Sequence, residues 1–219
     1  MAEKYGNIPP RFTKEWWGYF WYYYKWRVIG IAFAAAIVIV TVVQCASRPK
    51  YDMYITYAGH KAYSDNLVQV MQDSFNEHIT DIDGNGHKSV MFRQMTFYEN
   101  AGSEEMDSAM QTKLDFTFTD DCSYIYFMDR VEAEIYINRE SAQRLFADTQ
   151  EWAKDTDAEI LTAQDGTGYA VNLKDSSFFK ERELYCEDLY LLIRTNTKDD
   201  EKNKQAYEDS LKIAEILLK

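Results

Sequence analysis

The segment "DIDGNGHKS", residues 81–89, sets Asp81, Asp83, Asn85 and Gly86 at the D-x-[DN]-x-[DN]-G spacing that opens a calcium loop. Oxygens at alternating positions can converge on a hard cation while the glycine permits the turn, and Ser89 falls at the ninth position of such a loop. The twelfth position, where a bidentate Glu belongs, is Phe92, and the residues around it have strand character. A polar helix-to-strand turn explains the same residues more simply. Gly84 and Gly86 supply positive φ, and the acids accept backbone hydrogen bonds. The turn is the preferred expectation, with calcium on Asp81, Asp83, Asn85 and Ser89 as the alternative and no other cofactor implied.

Other reactive residues are sparse. His60, His78 and His87 lack metal-ligand spacing, and no nucleophile elbow, Walker loop or dinucleotide fingerprint occurs. No enzyme is therefore expected. Cys122 and Cys186 each precede an apolar run that reads as a strand. Two buried unpaired thiols are the preferred expectation, and a disulfide, which two strands entering a sheet from one side would allow, is the alternative. Cys45 is left over at the end of a long apolar segment.

That segment, Val28 to Ala46, runs "VIGIAFAAAIVIVTVVQCA", nineteen residues without a charge. As a helix it is about 28 Å long, close to the hydrocarbon thickness of a bilayer. Lys25 and Arg27 flank it on one side, Arg48 and Lys50 on the other. Trp16, Trp17, Trp21 and Trp26, with the tyrosines among them, form an aromatic cluster just upstream. Amphipathic rings suit the headgroup layer, so these tryptophans are expected to anchor a span at one interface. The apolar run begins too deep and continues too long for a signal peptide with an A-x-A site, and Val42-Val43-Gln44 is no lipobox before Cys45. An uncleaved anchor is expected.

Charge sets the orientation. To Lys50 the chain has seven basic and two acidic residues, about +5; beyond it seventeen basic face thirty-four acidic ones, about −17. The expected arrangement is a cytoplasmic flank (1–27), a transmembrane helix (28–46) and one domain outside the cell membrane (47–219). An acidic domain of this kind is no partner for nucleic acid, whose phosphates need cationic surfaces. The bilayer, another membrane or surface protein, and a small solute are the partners that remain.

Within the domain, apolar and β-branched runs alternate with helical periodicity. "YDMYITY" reads as a strand, and Leu67, Val68, Met71, Phe75 and Ile79 share a helix face. A second helix carries Met106, Met110 and Leu114 with a cap at Ser103, and "CSYIYFMD" reads as a buried strand. Helical sequence spans Ser141 to Trp152, with "EIYIN" before it open to either type. "GYAVNL" and "EDLYLLIR" read as strands, and a last helix from Glu201 sets Tyr207, Leu211, Ala214 and Leu218 on one face. The expected fold is a three-layer α/β domain with a mostly parallel sheet.

The order "YDMYITYAG", helix, "KSVMFRQMTF", helix with "SEEMDSAMQTKL", then "DDCSYIYFMD", resembles the first lobe of extracellular solute-binding proteins of the type II periplasmic-binding-protein fold. "TGYAVNL" is similar to that family's returning segment, and "EDLYLLIR" to its hinge-proximal strand. The resemblance lies in order and pattern over most of residues 51–195. It departs where "FTDDCSY" replaces the Gly-Asp-x-Pro-Asp approach to the third strand, and where a second lobe would begin. It implies a ligand edge near His60, after the first strand, and Asp129, at the end of the third; otherwise these are ordinary exposed loop positions. The function expected is a non-enzymatic, membrane-anchored binding or interaction module, an accessory subunit of a membrane complex. The alternative is an anchored solute receptor of a transporter.

Overall fold

A computed structural model describes residues 9–46, 50–98, 104–154 and 156–219, in two units, Met1–Pro49 and Lys50–Lys219. The cap expected at Ser103 lies outside the described residues. In the first unit, Thr13 Oγ1 accepts from the Trp16 amide at 3.2 Å and opens helix α1, Lys14–Ala46, 33 residues. Its length is about 50 Å. The stretch Lys14–Gln44 is long and apolar enough to cross a membrane, the one such helix among the described residues. The aromatic cluster belongs to this same continuous helix. Trp16 stacks on Phe20 at 5.3 Å and Phe20 on Tyr24 at 5.5 Å, while Trp17, Trp21 and Trp26 are exposed.

The second unit runs β1 (Met53–Gly59), α2 (Asp65–Asn76), β2 (Val90–Thr96), α3 (Glu104–Thr117), β3 (Ser123–Asp129) and α4 (Arg130–Ile137). Two single-turn helices follow, α5 (Ala142–Leu145) and α6 (Thr149–Trp152), then β4 (Ile160–Thr162), β5 (Gly168–Asn172), α7 (Ser177–Glu181), β6 (Leu189–Ile193) and α8 (Glu201–Leu217). The six strands form one sheet in the order β2-β1-β3-β6-β5-β4. β2, β1 and β3 are parallel, joined through α2 and α3. β6, β5 and β4 all pair antiparallel.

The sheet is therefore mixed, which corrects the expectation of a mostly parallel one. The cause lies in the connections. A parallel return needs a crossover as long as the strand, and α7, five residues, is only about 7.5 Å long. β4 and β5 are joined by the turn 163–167, in which Gly166 has φ 84°, too short for anything but a hairpin.

Alternate residues feed the two faces of the sheet. Ile55, Tyr57, Ile125, Phe127, Leu189, Leu191 and Ile193 pack with Met71 and Phe75 of α2, Phe178 and Phe179 of α7, and Ile213 and Leu217 of α8. Ala58, Tyr126, Met128, Tyr190 and Leu192 pack with Leu114 of α3, Ala133, Tyr136 and Ile137 of α4, and Phe146. Helices thus cover both faces. "EIYIN" resolves as the end of α4, whose first turn holds Glu132 three residues after the N-cap Asp129. On α3, Leu114 is buried and Met106 is exposed. α8 is rotated from its expected face: Ala206, Asp209, Ser210, Ile213 and Leu217 point inward with Ala214, while Tyr207, Leu211 and Leu218 are only half-buried. Asp209 tolerates burial because it accepts from the Thr80 amide at 2.7 Å and from Lys212 Nζ at 2.7 Å.

Candidate functional site

β1 is flanked by β2 on one side and β3 on the other, and the helices leaving β1 and β2 cover opposite faces of the sheet. Chain connections diverge there, so a crevice opens at the carboxyl ends of the strands, the edge where open α/β sheets bind ligands. β6 is antiparallel and begins at that same edge, with Leu189 opposite Asp129. A cavity of about 140 Å³ lies there, bounded by Tyr57, His60, Lys61, Tyr63, Asp129, Val131, Tyr185, Asp188 and Leu189.

Asp129 organises this edge. Its Oδ2 accepts from the His60 amide at 2.7 Å and lies 2.6 Å from His60 Nδ1. Its Oδ1 accepts from the Glu132 amide at 3.0 Å and so caps α4. Gly59 makes the approach feasible. A Cβ there would fall 2.5 Å from the Tyr57 hydroxyl and 3.0 Å from Asp129 Oδ2. His60 and Asp129, named from sequence, are thus brought together and partly buried, with side-chain exposures of 23% and 13%.

Tyrosines form much of the rest. Tyr57 and Tyr63 meet edge to face at 5.1 Å, and the Tyr63 hydroxyl donates to the Tyr185 carbonyl at 2.8 Å. The Tyr63 amide donates to Gln94 Oε1 at 2.7 Å, which fixes the loop between β1 and α2. Burial pushes the Tyr57 and Tyr63 phenols well above the usual tyrosine range, and the Asp129 charge adds to it for Tyr57. Lys61 Nζ lies 3.9 Å from the Tyr185 ring centroid and donates to its hydroxyl at 2.5 Å, a bond that raises the Lys61 pKa. Among the described residues Glu132 is buried with Oε2 unpartnered, and burial, then the Asp129 charge, holds its carboxyl above the usual carboxylate range. With its folded pKa raised, Glu132 costs stability as pH rises above the unfolded value of about 4.3.

Sequence reading missed Tyr57, Lys61, Tyr63, Tyr185 and Asp188. The signal for the last two was "YCED" just before a strand, which reaches the ligand edge only if that strand runs antiparallel. The same reversal removes the disulfide. Cys122 precedes β3 and Cys186 precedes β6, so they sit at opposite ends of an antiparallel pair, about 20 Å or more apart. Both are buried free thiols, Cys122 beside Tyr124 and Ala206, Cys186 in the cluster of Phe127 and Leu191.

In the 81–89 loop, Asp81 accepts from the amides of Gly84 (2.8 Å), Asn85 (3.2 Å) and Gly86 (2.7 Å), and Asp83 from Asn85 (3.1 Å). Gly84 and Gly86 have φ of 71° and 86°, as the turn requires. Phe92 is buried in the core. An unexpected residue joins the loop: buried Asp52, just before β1, accepts from Ile82, Asp83 and Ser89. Carboxylate oxygens of Asp52, Asp81 and Asp83 lie within 4.8 Å of one another, the set that could hold a cation. Ser89 Oγ donates to Asp52 at 3.2 Å, and the Asn85 side-chain oxygen accepts from the His87 amide at 2.7 Å.

Compared with protein-family models, curated proteins and solved structures, the chain matches none.

Proposed function

We propose that this protein is a membrane-anchored binding module, with its N-terminus in the cytoplasm and its α/β domain outside, serving as an accessory subunit of a membrane complex. The observation that carries the reading is the tyrosine-lined cavity at the carboxyl edge of β1 and β3, built around the His60–Asp129 pair. Among the described residues its lining has no Ser, Thr or Cys, so no hydroxyl or thiol of those types stands beside the His60–Asp129 pair. The proposed likeness to a solute-binding lobe is supported by the same ligand edge. The runner-up, an anchored solute receptor, uses the same cavity.

The test is protease accessibility of the full chain. The 25.7 kDa protein should remain with membranes after an alkaline carbonate wash, and protease added to intact cells should remove its domain. A shorter soluble product, or a domain protected until cells are lysed, would overturn the anchored arrangement.

Calcium in the Asp81 loop is a secondary proposal, favoured by the third carboxylate that Asp52 contributes. Calcium at a hundred times its Kd should add about 2.7 kcal/mol, several degrees in Tm, relative to EDTA. Equal melting in calcium and EDTA would remove it.

A further inference from the structure

The chemistry of the cavity at the β1–β3 edge points to one ligand class, an inference that rests on the binding role proposed for that cavity. Its volume, about 140 Å³, is close to that of engineered protein cavities that take a benzene-sized guest, and below the pockets of drug-sized ligands. The occupant is therefore a group of about six heavy atoms. For an anion, the His60 and Lys61 donors at this edge are already engaged. The α4 N-terminus is capped by Asp129, and the His60 amide and Nδ1 both bond to Asp129. The Lys61 ammonium already engages Tyr185.

Cations find the reverse. Asp188 lines the cavity half-buried, and among the described residues no hydrogen bond or ion pair engages its carboxylate. The Tyr185 ring presents a face that already carries an ammonium at 3.9 Å, the arrangement of a cation–π contact. Tyr57 and Tyr63 supply apolar walls for a short alkyl stem. Lys61 itself is an exposed side chain on the loop after β1, so its ammonium can swing away without disturbing the core.

We propose that this cavity is a seat for a primary ammonium group, with the Tyr185 ring as its face and Asp188 as its counter-charge, and that Lys61 is an internal occupant which the ligand displaces. The seat is thereby self-competing: ligand affinity is set against a tethered copy of its own chemistry.

The test is calorimetric titration of the full chain in a nonionic detergent with n-butylammonium, with n-butyrate and n-butanol as controls. Wild-type protein should bind butylammonium weakly, Lys61→Ala at least tenfold more tightly, and Asp188→Asn at least tenfold more weakly than wild type. The controls should give no heat. Both substitutions are at solvent-reachable positions, and unchanged melting of the free variants confirms that they fold. Nα-acetyl-lysine N-methylamide distinguishes the source. Its binding alongside butylammonium supports the seat and opens it to a lysine of a partner protein; its exclusion supports the seat and restricts it to a free amine. Lys61→Ala binding no more tightly than wild type overturns the self-occupancy, and butyrate binding in place of butylammonium overturns the ligand class. If butylammonium fails while another solute raises Tm in a His60-dependent way, the ammonium seat falls and the binding module stands.

Discussion

Asp52→Ala should lower the stability of the domain by about 3 kcal/mol, a large share of the ~5–15 kcal/mol that holds a domain together. Asp52 is 2% exposed and sits one residue before β1, where the Met53–Val90 register lays it against the chain entering β2. Its two oxygens take four hydrogen bonds: from the amides of Ile82 (2.8 Å), Asp83 (3.2 Å) and Ser89 (2.9 Å), and from Ser89 Oγ (3.2 Å). Truncation leaves these donors without an acceptor, and a part-buried amide deprived of its partner costs about 1–3 kcal/mol. Water reaches some of them, which keeps the total below the simple sum. The corresponding fall in Tm is roughly 6–12 °C for a chain of this size. Asp52→Asn should recover part of the loss, since one oxygen remains, yet its amide group would face a donor from Ser89. Circular dichroism melts of the full chain decide it. A loss under about 1 kcal/mol would mean that the loop re-forms on Asp81 alone.

Asp52 also shows where sequence reading stops. The loop was legible because its six residues are contiguous and their spacing has a mechanism, and Asp81 and the two glycines act as that mechanism requires. Asp52 is some thirty residues away, and only strand pairing makes it a neighbour. The elements that read correctly, α1, β1, α2, β3 and β6 among them, are long or densely apolar. Those missed, β4 at three residues and α7 at five, are shorter than one period of any reliable pattern. Strand direction was the costly error. Composition does not encode it, so the antiparallel direction of β6 went unread, and with it Tyr185 and Asp188 beside the cavity and the separation of Cys122 from Cys186. The face of α8 was misjudged for a different reason. Asp209 and Ser210 look like surface residues, and they point inward only because Thr80, Lys212 and the Ala206 carbonyl satisfy them.

Phe127→Ala should cost about 3–5 kcal/mol, the range for deleting a buried aromatic ring from a core that collapses only partly. The ring projects from β3 near the middle of the sheet and is 1% exposed. It packs against Phe75 of α2 at 6.3 Å, Phe92 of β2 at 6.3 Å and, edge to face, Phe179 of α7 at 5.9 Å. No single neighbour can move into the gap, because each belongs to a different element anchored elsewhere. Phe116→Ala, at a 69% exposed ring on α3, should by contrast change stability by less than about 0.5 kcal/mol. Urea unfolding of both variants, with equal m-values, gives the comparison; equal losses would refute the assigned packing. The consequence extends to the cavity. Tyr57 and Leu189 share the core face with Phe127, and Tyr57 is paired with it across β1 and β3. Phe127→Ala should therefore weaken the proposed binding of butylammonium even under conditions where the variant is fully folded, because Tyr57 loses the ring paired with it across β1 and β3. Phe92 stands at the loop position where calcium chemistry asks for a glutamate, and its place in this aromatic cluster is the physical reason a glutamate would not fit there.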